Sequence, residues 1–146
     1  MLPPARLLDA YQSAERDKTA AIVEFGVYMG GALASMACGA NSSSKYTGRV
    51  IGFDTFEGHT VRPLPDEIDI HGQPQLPIFQ QKATNGESWA ACDIKTVLIN
   101  FKEIAKSFGA ACTDPHLIKG DACETAQELE NHLDGYCIGV LRLDMD

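Results

Sequence analysis

The sequence predicts an α/β fold: a Rossmann-like, mostly parallel sheet with helices on both faces, linked by right-handed crossovers. Two observations carry this. Short apolar runs alternate with stretches of helical periodicity in the order strand, helix, strand, loop, helix, strand, helix, strand. Each run also ends in an acid, at Glu24, Asp54, Asp121 and the Asp144-Met145-Asp146 tail, where the carboxyl ends of parallel strands line a crevice. One acid so placed is unremarkable. Four at corresponding positions argue for a site.

A single domain, 1–146, accounts for the length, and 45% hydrophobic with 22% charged residues is ordinary for a globular chain. The formal charge of −8 speaks against nucleic acid or an anionic membrane surface as partner. Five cysteines, odd in number and without a C-x-x-C pair, suggest neither a disulfide framework nor a zinc site. A reduced, cytoplasmic setting is expected. No apolar run is long enough to span a membrane, and no basic-then-apolar leader opens the chain.

The first element is a lead-in helix after Pro3-Pro4, with Leu7, Leu8 and Tyr11 at helical spacing. Strand one follows at Ala20 to Gly26, and the turn after it, Val27-Tyr28-Met29-Gly30-Gly31, feeds a small-residue helix from Ala32 to Ala40. A buried strand that stops at glycine before a helix N-terminus is how a backbone comes close to a ligand. The spacing Glu-x-Gly-x-x-x-Gly-Gly is neither the Gly-x-Gly-x-x-Gly dinucleotide fingerprint nor a P-loop. An acid beside a flexible turn suits a ligand with an amine and a sugar better than one with several phosphates.

Arg49 to Asp54 reads as a second buried strand, after which periodicity disappears. Pro63, Pro65, Pro74 and Pro77 fall in this irregular stretch, and residues 59–90 are expected to form a lid or binding loop. Ile94, Val97, Leu98, Phe101, Ile104, Ala105 and Phe108 then mark the clearest amphipathic helix, with Asp93 as its N-cap. Pro115 to Asp121 is a short third strand, Glu124 to Leu133 a helix, and Cys137 to Leu143 the last strand.

Four blocks carry a resemblance: Val23-Glu24-Phe25-Gly26-Val27-Tyr28-Met29-Gly30-Gly31, Gly52-Phe53-Asp54-Thr55-Phe56-Glu57-Gly58, Gly120-Asp121 with Thr125, and Leu141-Arg142-Leu143-Asp144-Met145-Asp146. Together they resemble the successive motifs of the macrocin-type (TylF-like) O-methyltransferases, class I enzymes that use S-adenosylmethionine. The likeness runs from about residue 20 to the end, with gaps in the loop. It implies methyl transfer to a hydroxyl of a small molecule, often a sugar on a secondary metabolite, assisted by a divalent metal. His59-Thr60 depart from the family's usual Leu-Pro.

On that resemblance, the turn from Gly26 through Val27 and Tyr28 to Gly30 approaches the methionine part of the cofactor, with Glu24 acting on its ammonium or orienting the turn. Asp54 is suited to accept both ribose hydroxyls. Thr55 and Phe56 follow it, Phe56 either flanking the adenine or serving as core. Gly120, Asp121 and the Ala122 backbone reach the adenine edge, unless Asp121 only caps the next helix. Methyl transfer is an in-line displacement that needs an aligned acceptor oxygen. Asp144 and Asp146 can increase its anionic character as bases, or as ligands to Mg²⁺. His59 and His71 are further base candidates in the loop.

Two other readings share the βα alternation: an NAD-dependent oxidoreductase, which should show the absent fingerprint, and a non-catalytic nucleotide-binding or interaction domain. The family's segment beyond the fourth strand does not follow here, so the chain is expected to be the N-terminal part of a longer enzyme. The apolar fourth strand would then be an exposed edge that pairs with a second copy or aggregates.

Overall fold

In a computed structural model, residues 20–42, 48–58, 66, 68, 71–75, 77, 78, 80, 91–110 and 112–145 are described. They form four strands, β1 (Ala20–Phe25), β2 (Val50–Asp54), β3 (His116–Lys119) and β4 (Cys137–Leu143). The helices are α1 (Gly31–Ser42), α2 (Ile94–Ser107), α3 (Ala122–Thr125) and α4 (Leu129–Leu133), with a 3₁₀ turn at Ala126–Glu128. The α/β fold expected from the alternation is the one found. The lead-in helix, most of the 59–90 stretch, His59 and Asp146 lie outside the described residues.

All strands are parallel in the order β3-β2-β1-β4. Every residue of β1 is buried, because the strand is central and covered on both faces, where near-continuous apolar sequence is favoured. Its side chains alternate between two cores. Ile22 packs with Leu33, Met36, Val97 and Phe101 of α1 and α2. Ala21, Val23 and Phe25 pack with Ile51 and Phe53, backed by Leu129 and Leu133 of α4. The Phe25 and Phe53 rings stack at 4.5 Å. Glu24 is the polar exception and is fully buried.

Helix α2 starts where the sequence placed it: Asp93 accepts from the Thr96 amide at 3.1 Å and from its hydroxyl at 2.7 Å. It buries Val97, Phe101 and Ala105 against α1, whose run of Ala and Gly permits close packing. The single helix expected from Glu124 to Leu133 is instead two short α turns joined by the 3₁₀ turn. At its start the Thr125 hydroxyl donates back to the Asp121 carbonyl at 2.9 Å, a bond that competes with a regular ladder. Strand β4 is one edge of the sheet among the described residues and β3 the other, with Ile138, Leu141 and Leu143 of β4 exposed.

Candidate functional site

The carboxyl ends of β1, β2 and β4 and the turn from Gly26 to Gly30 make up the candidate site. The sheet continues past its strands through backbone bonds: Gly26 N–H donates to Phe53 O, Asp144 N–H to Phe25 O and Gly120 N–H to Asp54 O, at 2.9, 2.9 and 3.0 Å. Gly26 has φ +83°, and a Cβ there would run into the Asp144 carbonyl. Only glycine lets the β1 turn and the β4 tail close on each other. Gly30, at φ +80°, lies against Val97 of α2, and its N–H donates to Val27 O at 2.8 Å. Asn100 of α2 donates to the Met29 carbonyl at 3.2 Å. The turn is thus held from both sides.

Asp54 is the latch of this corner. Its Oδ2 accepts from Tyr28 N–H at 2.8 Å and its Oδ1 from Phe56 N–H at 2.7 Å, so one carboxylate joins the loops after β1 and β2. Charge-assisted bonds of this kind contribute about 1.5–3 kcal/mol each. Both donors sit at positive φ, 48° for Tyr28 and 54° for Phe56, a conformation that costs about 1–3 kcal/mol per residue. Asp54 offsets that strain. A carboxylate has about four lone-pair sites, so two amide bonds leave it able to accept from hydroxyls.

The neighbouring residues divide between lining and support. Tyr28 is about half exposed at the turn, whereas Val27 is buried. Phe56 is also buried in the core with Val27, Cys92 and Val97. Thr55 Oγ1 accepts from Glu57 N–H at 3.3 Å and donates to Gly58 O at 3.2 Å, closing its own turn. Lys119 of β3 pairs with Glu57 at 2.6 Å. Asp121 caps α3 through Cys123 N–H at 2.8 Å, and Ala122 packs under the sheet.

Glu24 and Asp144 meet in one cation. Glu24 and Arg142 are partners in the β1–β4 register, and the Arg142 guanidinium donates to Glu24 Oε1 and, at 2.6 Å, to Asp144 Oδ2. Among the described residues, Glu24 Oε2 has no hydrogen-bond donor. Burial pushes the Glu24 carboxyl up to about 7 and the Asp144 charge adds to the rise, while Arg142 and, more weakly, the Leu33 backbone amide pull it down. In the sequence Arg142 is the one charged residue in the otherwise apolar run from Cys137 to Leu143. The pointer was present: a fully buried acid in a central strand needs a counter-charge.

A divalent metal finds poor support in this set. Asp144 is engaged by Arg142, Asp146 is outside the described residues, and among those described no group of three or more His, Cys, Asp or Glu is arranged for a metal ion. Among the described residues the donors do not make a site that fits Mg²⁺. The S-adenosylmethionine fit is better. A buried Glu24 oxygen, a glycine turn and a half-buried carboxylate with spare acceptor capacity at the end of β2 lie at the carboxyl ends of adjacent strands.

This geometry defines a class: a Rossmann-like parallel sheet with a glycine turn after its central strand and an acid at the end of the neighbouring one. Among solved structures it is similar to the calicheamicin methyltransferase CalS11, with a TM-score of 0.57 and 22% identity over 96% of this chain and 53% of that one. The likeness establishes the fold. The chain spans about half the length of that structure. Neither protein-family models nor curated proteins gave a match. No helix among the described residues is long and apolar enough to cross a membrane.

Proposed function

We propose that the chain forms the S-adenosylmethionine-binding part of an O-methyltransferase acting on a hydroxyl of a small molecule, of the macrocin type that its motifs resemble. The observation that carries this reading is the Asp54 latch, a carboxylate at the end of β2 tied to the glycine turn after β1, within a fold shared with a methyltransferase structure.

The cofactor, when bound, supplies an electrophilic methyl group on a sulfonium. Asp54 accepts the ribose hydroxyls, the Gly26–Gly30 turn receives the amino-acid end with the buried Glu24 orienting that turn, and the backbone at Gly120 to Ala122 borders the base. Asp144, half exposed and steadied by Arg142, is the group assigned to the acceptor hydroxyl, which it orients and from which it takes the proton.

Isothermal titration with S-adenosylmethionine, S-adenosylhomocysteine and NAD⁺ tests the reading. The two sulfur nucleosides are expected to bind and NAD⁺ to give no heat. Binding of NAD⁺ alone would move the protein to the oxidoreductases, and binding of none would leave an interaction domain.

A further inference from the structure

Away from the crevice, α1 carries Cys38 on the side that faces the segment entering β3. Its Sγ lies 3.7 Å from that of Cys112, 74 positions along the chain. The two thiols differ in access. Cys38 is buried, whereas Cys112 is half-buried and lines an open groove of about 460 Å³ with Phe101, Lys102, Ala105, Lys106 and Asp114. Both are free thiols.

We propose that Cys38 and Cys112 form an oxidation site, a dithiol that hydrogen peroxide entering the groove converts to a disulfide stapling α1 to the segment that leads into β3. The sulfurs are already in van der Waals contact, against about 2.05 Å for a bonded pair. The groove decides which thiol reacts first. The Cys112 sulfur attacks one peroxide oxygen, the O–O bond breaks, and the departing hydroxide leaves as water with the thiol proton. That gives a sulfenic acid. The Cys38 sulfur then displaces the sulfenic oxygen: an S–S bond forms, the S–O bond breaks, and hydroxide leaves as a second water with the Cys38 proton. Two thiols have lost two electrons and one peroxide has become two waters.

Burial and the touching Cys112 push the Cys38 thiol up to about 12, so Cys112, open to the groove, reacts first, and the resolving step relies on the contact between the sulfurs rather than on an activated Cys38 thiol. The disulfide would close a loop that contains β2, α2 and residues 59–90, restricting the unfolded chain.

The experiment treats the full chain carrying Cys123→Ser and Cys137→Ser with hydrogen peroxide, since both of these cysteines are exposed. Of five cysteines, three then remain. In denaturant, titratable thiols are expected to fall from three to one, and an unreduced digest to contain one peptide joining positions 38 and 112. Dithiothreitol should reverse both, along with a rise in melting temperature of about 5 °C or more. With Cys38→Ser added, a dimedone adduct is expected at Cys112 and no cross-link. Recovery of an unmodified Cys38 peptide while Cys112 advances to sulfinic acid, or bridges two chains, overturns the proposal. Mapping the form with both cysteines decides the question even if the Cys38→Ser variant does not fold.

Discussion

At the β1–β4 corner, Glu24 is fully buried and meets its charge in Arg142, which also holds Asp144. At the end of the neighbouring strand β2, Asp54 pairs with no cation among the described residues and is held by two amide N–H groups. The first arrangement is closed by charge and by the fit of Gly26 against Asp144; the second is open and fastens two loops. Strand-end acids that look equivalent in sequence therefore do different work. Burial forces one to find a counter-ion, whereas partial exposure lets the other satisfy itself with backbone dipoles and keep capacity for a ligand.

The closed corner breaks most severely at Gly26. Gly26→Ala adds a Cβ that collides with the Asp144 carbonyl, at a backbone φ of +83°. A loss of about 3 kcal/mol or more is expected in urea denaturation, with the circular dichroism melt lowered or absent. An unchanged melt would mean that the β4 tail does not close on the turn.

Arg142→Met comes next. It leaves Glu24 buried without its counter-ion and should cost about 3–5 kcal/mol, while Glu24→Gln in the same chain should recover a large part of that loss. The double-mutant cycle measures the coupling directly. Additive costs would show that the pair is not a unit.

At the open corner, Asp54→Asn keeps the shape and removes the charge and one of the two amide acceptors. Affinity for S-adenosylmethionine is expected to weaken by about 1–3 kcal/mol in calorimetry, with a smaller change in the melting temperature. Equal affinity in the variant would place the ribose elsewhere.

The smallest effect sharpens the contrast through pH. Glu24 holds its proton in the fold up to about 7, against 4.5 unfolded. Between those values the native state binds more protons, so this contribution is full below 4.5 and is lost as pH rises towards 7. His116 works oppositely. Burial, the neighbouring His132 and Arg49 lower its pKa from 6.5, so it favours the fold at high pH and loses that as pH falls below 6.5. The two slopes oppose each other near pH 6. Glu24→Gln should expose a stability that declines on acidification, and His116→Asn one that declines as pH rises towards 7, both read from urea midpoints across pH 5 to 8.

What the sequence determined by itself was local. Periodicity placed β1, α2 and β4, Asp93 announced its own cap, and the glycine spacing marked the turn, since each depends on residues within a few positions. It also brought acids to the strand ends, because the carboxyl ends of parallel strands share one side of the sheet. Which of those acids is spent on structure was decided by tertiary structure. Arg142 reaches Glu24 across 118 positions, and Tyr28 N–H reaches Asp54 across 26. Asp121 turned to capping and Phe56 to the core, and two cysteines without a motif came into contact. The physical reason is that a charge or lone pair is satisfied by whatever the packed sheet brings within about 3 Å, and that neighbour is set by register and crossover rather than by its place in the chain.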